Sequence, residues 1–502
     1  MLFDRVPSPF ALSLEAVPHS FPLAAAAASA LVLYFYLARD TAPRGIQKII
    51  SLSQLEVLDL LFGKADYHTR TKRVREIMEE NGIMRMKLGS FHLVQVARPE
   101  FVKAVLTGQD IDKVSLNEEQ PGSFTVKAFG ENIIFSKRNQ WRKYRRIMNP
   151  AFATVPIQIY DEQGARLASH IKRSKSRLLE VGRLIKRIAL DIIGLSAFGY
   201  NFNALDEPHG HYVTIWSRII ERSSKFVFLL LPWLEKFFDE FELLEEMEGM
   251  IADVIQKKRE LLRRGNGDET GPSSLLTRMI KANELEGEIS LSNAELKNNV
   301  MAFMLAGSDT VANTLTCCLY YLAKHKQVQT RAREEVLRVV GADEEITLEK
   351  QKSLLYLTKV IKETLRLCPP TPSLTLRCLA SPQTIGEYTI PPGVNITVDI
   401  YSIHHSPTYW PDPERFDPER FTEEKEKLRP AYTWLPFGGG PRICLGSRFA
   451  LVEISVLLAH LLRFFEVEVP ARTLHKERPY LHEMSWGVIG PKNMELIFKE
   501  LR

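Results

Sequence analysis

Apolar positions along the chain recur mostly at spacings of three and four, the period of an amphipathic helix. The longest such run opens at "SLSNAELKNNV", where Ser292 and Glu295 three residues on form a capping box. It predicts an apolar helix over roughly 293–324. A second long amphipathic pattern covers 235–263, and the polar "RRGNGDETGPSS" (263–274), with three glycines and a proline, separates the two. Helical patterning continues to Leu367 and stops before Pro369 and Pro370, which cannot extend it. Alternation of apolar and polar positions is confined to short stretches. "IMRMKLGSFHLVQVA" (83–97) predicts two strands around Gly89-Ser90, and "TIPPGVNITVDIYSIH" (389–404) carries strand and turn chemistry. No repeat appears beyond residue 45. The expectation is one mainly α domain with small β-sheets, an α+β arrangement, rather than two domains.

The N-terminus changes that picture by one element. "FPLAAAAASALVLYFYLA" (21–38) is uncharged and mostly apolar, close to the about 20 residues a membrane-spanning helix needs. The preceding residues lack the basic start of a secretory signal, and no Ala-x-Ala site follows. The division expected is therefore an anchor segment, 1–40, and one main domain, 41–502. Arg39, Arg44 and Lys48 just after the anchor place the bulk of the chain in the cytosol. "FVFLLLPWL" (226–234) reads either as a second membrane contact or as the end of a core helix.

Composition adds exclusions. Apolar residues make up 45% of 502, enough for a large core, and a net charge of +5 is too small at this length to suggest nucleic acid. Five cysteines, with no paired zinc spacing, argue against a disulfide framework and for a reducing compartment. Cys317 and Cys318 lie in an apolar helical run and read as core. Cys444 differs, because "LPFGGGPRICLG" (435–446) surrounds it with glycines. A phosphate loop would end in Lys-Ser/Thr; this loop is built to present a sulfur.

Two further groups stand out. In "MLAGSDTVAN" (304–313), Gly307 costs a helix about 1 kcal/mol relative to Ala, and Asp309 and Thr310 put an acid and an alcohol into an apolar run. Together they predict a local groove in the long helix. "KETLRL" places Glu363 and Arg366 on one helix face, and "FDPERF" supplies Arg420.

In order and spacing these stretches resemble the cytochrome P450 family of haem-thiolate monooxygenases. The haem loop F-x-x-G-x-R-x-C-x-G is matched by Phe437, Gly440, Arg442, Cys444 and Gly446. E-x-x-R is matched by Glu363 and Arg366, P-E-R-F by Pro418 to Phe421, A/G-G-x-D/E-T by Ala306, Gly307, Asp309 and Thr310, and W-x-x-x-R by Trp141 and Arg145. The resemblance implies haem b held by the Cys444 thiolate, which favours O–O cleavage. It implies Phe437 packed near the sulfur, and Trp141, Arg145 and Arg442 on the haem propionates, with Arg377 a further candidate. Glu363, Arg366 and Arg420 become a buried structural network, while Thr310 positions water and Asp309 relays protons. Val311 stands where a second hydroxyl is common.

The implied partners are a membrane-bound NADPH–cytochrome reductase, with a cytochrome b-type donor as a second source, a lipophilic small-molecule substrate, and the lipid of the endoplasmic reticulum membrane. Lys137, Arg138, Arg142, Lys143 and Arg146 offer a basic docking face for the reductase. Pocket residues implied by the resemblance lie in the loop before Trp141, near Met301 and Leu305, at Thr371–Thr375 and near Trp486–Val488. Terpenoid chemistry of the fungal secondary-metabolite kind is compatible with the sequence, as are fatty acids, sterols and xenobiotics. A reductase-independent peroxide-rearranging member would typically lack Thr310. A haem carrier without turnover is disfavoured by the intact acid–alcohol pair.

Overall fold

The computed structural model describes residues 42–88, 91–108, 110–119, 121–223, 241–264, 274–284, 290–485 and 487–501. The expected anchor at 21–38, the apolar stretch 226–234 and Trp486 lie outside them. Among the described residues, no helix is long and apolar enough to cross a membrane.

Five helices position the site: α1 (Arg138–Met148), α2 (Val181–Ile193), α3 (Asn293–Lys324), α4 (Leu355–Leu367) and α5 (Ser447–Phe464). Helix α3 begins where its capping box requires. The Ser292 hydroxyl accepts from the Glu295 N–H, and the Glu295 carboxylate accepts from the Ser292 N–H. Being apolar on most faces, α3 runs through the centre of the molecule, with α2, α4 and α5 packed against it. The groove expected from Gly307 is not a break in the helix, which is continuous from 293 to 324. The missing side chain serves packing instead: a Cβ at Gly307 would lie 2.6 Å from Ile193 Cδ1 at the end of α2.

A five-stranded sheet lies to one side of the helices. Its strands are β1 (Ile83–Leu88), β2 (Phe91–Val96), β3 (Ile111–Lys113), β4 (Arg377–Leu379) and β5 (Asn395–Val398), in the order β1-β2-β5-β4-β3. β1 and β2 form the expected hairpin, and β2 pairs with β5 in parallel. β4 then runs antiparallel to both β5 and β3. Three smaller sheets complete the described strands.

The residues between α4 and the cysteine loop are tied down by buried charge. Arg366 and Glu363, both fully buried, form a two-pronged pair at 2.7 and 2.9 Å. Arg366 also donates to the His404 carbonyl, and Glu363 accepts from the Asp417 N–H and pairs with Arg420 at 3.4 Å. The His404 ring carries the link onward. Its Nδ1 faces the Arg366 carbonyl, and its Nε2 accepts from the N–H of Leu435, where the cysteine loop starts. The network expected from the E-x-x-R and P-E-R-F stretches is present, with His404 as a member that the spacing did not announce.

Candidate active site

The cysteine loop is folded tightly by backbone that glycine permits. Gly438 and Gly440 have φ of +69° and +66°, and a Cβ at Gly440 would meet the Leu106 carbonyl oxygen at 2.9 Å. The Cys444 N–H donates to the Phe437 carbonyl. Of the five free cysteines, Cys444 is the exposed one, while Cys317, Cys318 and Cys368 are buried. Burial raises the Cys444 thiol pKa, against which the Gly446 N–H and the Arg145 charge favour the thiolate. The sulfur is thus accessible and at the same time closely surrounded by protein.

Cations gather beside this sulfur. Arg145 donates to the Ile443 carbonyl, and Arg145 and Arg442 stand over the Trp141 ring at 5.8 and 4.5 Å. Arg442 donates to the Ser136 carbonyl and pairs with Asp112 at 2.9 Å. Arg377 on β4 is buried, donates from one nitrogen to the Val105 carbonyl, and has a buried Nε with no partner. Burial, then their mutual repulsion for Arg377, lowers these two guanidinium pKa values to about 10. Two desolvated arginines, a third nearby and one carboxylate leave an excess of positive charge and an orphaned donor. That suits a bound dianion, and it is the test the haem propionates pass.

On α3 an accessible stripe interrupts an otherwise buried helix: Ala306 is exposed, and Gly307 and Thr310 are partly so. The Thr310 hydroxyl donates to the Ala306 carbonyl one turn back at 2.7 Å, which leaves its oxygen free to accept. Asp309 is 5% exposed and pairs with Lys186 of α2 at 3.4 Å, so it does not face solvent. The sequence reading did not single out Lys186; the signal is a lysine set among Leu184, Ile185 and Ile188. Phe152 packs in tilted contact between Phe303 of α3 and Phe449 of α5, with centroids at 5.8 and 4.9 Å, and so joins α3 to the helix that follows the cysteine loop.

Other expectations need correction. Met301 and Leu305 are buried in the core, so the accessible face of α3 belongs to Ala306, Gly307 and Thr310 instead. Thr371, Ser373, Leu374 and Thr375 remain partly accessible, while Pro372 and Val488 are buried. In the basic helix, Lys137 and Lys143 are taken up by Glu118 and Glu295, each at 2.6 Å, whereas Arg142 and Arg146 are exposed.

Comparison with known proteins agrees with this arrangement. A sequence profile of the family Cytochrome P450 matches residues 56–498. Among similar proteins, Cytochrome P450 4c21 of Blattella germanica is 28% identical over 93% of this chain and 96% of its own length. Cytochrome P450 4V2 of Homo sapiens is 30% identical over 77% of each chain. The solved structure titled "Crystal structure of cytochrome P450DA heme domain" superposes with a TM-score of 0.75 at 24% identity, covering 90% of this chain and 97% of that one.

Proposed function

The chain belongs to the cytochrome P450 family, whose members are haem-thiolate monooxygenases, and from this we propose that it inserts one oxygen atom from O2 into a lipophilic small molecule, with Cys444 as the iron ligand. The observation that carries the reading is the glycine-folded loop presenting an accessible sulfur beside an excess of buried guanidinium charge. When bound, haem supplies the oxygen-activating chemistry. The protein's part is position and proton supply. Arg145, Arg442 and Trp141 hold the propionates, with Arg377 as the further partner, and the Gly446 N–H favours the anionic sulfur. Phe437 shields that sulfur from its place in the same loop, and Ala306 leaves room on α3 for a small ligand. The Thr310 oxygen accepts from a water molecule and holds it at the accessible stripe. Asp309, on the next position of the helix and paired with Lys186, passes protons inward from the α2 side.

Electrons come from a separate NADPH-dependent reductase with an acidic face, docked against the exposed Arg142 and Arg146. The partly accessible stretch around Leu374 and the small Ala306 suit a lipophilic substrate. An anchor at 21–38 would place the enzyme on the endoplasmic reticulum membrane, with the domain in the cytosol.

The deciding experiment is spectroscopic. The reduced carbon monoxide complex shows the red-shifted Soret band of a thiolate ligand. Cys444→Ser abolishes that band, and Cys368→Ser and Cys378→Ser keep it. A Cys444 variant that retained the band would overturn the assignment.

A further inference from the structure

Two imidazoles and a carboxylate from distant parts of the chain converge on one point. His68 lies in a short helix, Tyr67–Arg70, near the start of the domain, whereas His405 and Glu414 lie between β5 and the cysteine loop. Their ligand atoms are all within 4.8 Å of one another. Among the described residues, this is the one group of three or more His, Cys, Asp or Glu side chains that converges in this way.

The hydrogen bonds around the rings decide which nitrogens turn to the centre. An arginine can only donate, so His68 Nε2, 2.9 Å from Arg75, carries a lone pair. Its Nδ1 then carries the hydrogen that faces the Tyr401 hydroxyl at 3.0 Å. A carbonyl can only accept, so His405 Nε2, 3.1 Å from the Leu367 carbonyl, carries a hydrogen. The inward nitrogens, His405 Nδ1 and His68 Nε2, face the two oxygens of the Glu414 carboxylate at 2.9 and 3.6 Å.

Histidines that ligate metals are held in this manner: one ring nitrogen is fixed by a hydrogen-bond partner, and the other is aimed at the ion. Donor atoms about 2.0–2.1 Å from a tetrahedral zinc ion stand about 3.3 Å apart, and the two contacts to Glu414 fall on either side of that value. Hydrogen bonding alone accounts for the geometry less well. His68 Nε2 and the Glu414 oxygen are both acceptors, and two acceptors face each other favourably only across a cation. Arg75 supplies positive charge from one side, and Arg478 approaches the same oxygen at 3.5 Å. Arg75 bonds the His68 carbonyl and the Thr71 hydroxyl through its other nitrogen, so yielding His68 Nε2 removes one of its hydrogen bonds and keeps two. Both histidines are buried and Glu414 is exposed, which gives an ion its way in.

We propose that His68, His405 and Glu414 form a divalent transition-metal site, best suited to Zn2+, that ties the start of the domain to the segment leading into the cysteine loop. Two imidazoles and a carboxylate are a nitrogen–oxygen set that zinc accepts, with water in the fourth position. Binding displaces the Arg75 nitrogen from His68 and releases the proton held between His405 and Glu414.

Zinc titration of the full-length, haem-loaded protein tests it, with haem keeping Cys444 out of competition for the ion. After dialysis against EDTA and removal of the chelator, one Zn2+ should bind per chain, measured against a chromophoric competitor. Zinc K-edge absorption should show nitrogen and oxygen neighbours at about 2.0–2.1 Å and no sulfur at about 2.3 Å. Glu414→Gln and His68→Gln each remove a ligand and should weaken binding by about a hundredfold, the upper end of what a change around a ligand does. Arg75→Gln should act in the opposite direction and tighten binding about tenfold, since a competing donor and a like charge are gone. Opposite signs at two touching positions separate loss of a ligand from general loosening, and the carbon monoxide band of each variant reports an intact fold. Zinc should also raise the thermal midpoint of the wild type but not of Glu414→Gln. Equal affinity in the wild type and Glu414→Gln, or a sulfur neighbour at the absorption edge, would place the ion elsewhere and overturn the site. So would the absence of stoichiometric binding below millimolar zinc.

Discussion

At the scale of single residues, the most informative position is Thr310. Its hydroxyl already satisfies its donor on the Ala306 carbonyl, so neither packing nor helix stability depends on a partner across the cleft. Thr310→Ala should therefore leave haem content and substrate affinity nearly unchanged. Oxygen and NADPH should still be consumed, with more of the flux leaving as hydrogen peroxide. A positioned proton-transfer group is worth about 10²–10⁴-fold in rate, and the loss should appear in product formed per NADPH. Wild-type coupling in that variant would show that protons arrive by another route. Asp309 and Thr310 stand out in the sequence as an acid and an alcohol in an apolar run, and the structure turns Asp309 toward Lys186 rather than solvent. Gly307 has a second use that its local pattern does not show. Its cost to a helix is a local property, whereas its use, admitting Ile193, depends on a helix more than a hundred residues away.

At the scale of elements, buried charge fixes the approach to the cysteine loop. Desolvating Glu363 raises its carboxyl pKa, and the hydrogen bonds and charge of Arg366 oppose that rise. Removing one partner strands the other charge in the interior, which costs about 3–5 kcal/mol. Arg366→Met should thus lower stability by about that amount, and haem-loaded protein should fall with it, since His404 transmits the position of α4 to Leu435. A variant with wild-type haem content and an unchanged unfolding midpoint would show that the loop is held by other means. Long elements were readable from the sequence: α3 begins and ends as its capping box and apolar run predict, and the β1–β2 hairpin follows its alternation. The three-residue strands β3 and β4 were not. Strands that short carry no period, and their pairing brings together residues 111–113 and 377–379, a contact no local pattern encodes. Asp112 escaped notice for that reason.

At the scale of the whole molecule, a polar clasp joins segments from both ends of the chain. The His68 Nδ1 faces the Tyr401 hydroxyl at 3.0 Å, and its Nε2 accepts from Arg75 at 2.9 Å. The Glu414 carboxylate lies 3.6 Å from His68, 2.9 Å from His405 and 3.5 Å from Arg478. Burial, then the charge of Arg75, lowers the His68 pKa to about 3. Burial raises that of Glu414, but the hydrogen bond from His405 and the surrounding cations bring it down to about 2. His405 is lowered as well, by burial, with Glu414 opposing. The signs agree. An unfolded histidine takes up its proton near pH 6.5, the folded His68 near 3, so its contribution is present above 6.5 and is lost as pH falls from there. Glu414 contributes fully above its unfolded value of 4.5 and loses that contribution as pH falls toward 2. The thermal midpoint, measured with chelator present, should therefore decline on acidification in two overlapping stages. His68→Gln keeps a polar group between Tyr401 and Arg75 and removes one titration. It should flatten the decline between pH 6.5 and 4.5 while leaving the steeper loss below 4.5. Unfolding scans across that range measure both slopes. A His68→Gln profile parallel to the wild type throughout would show that acid loosening of this protein begins elsewhere than at the clasp.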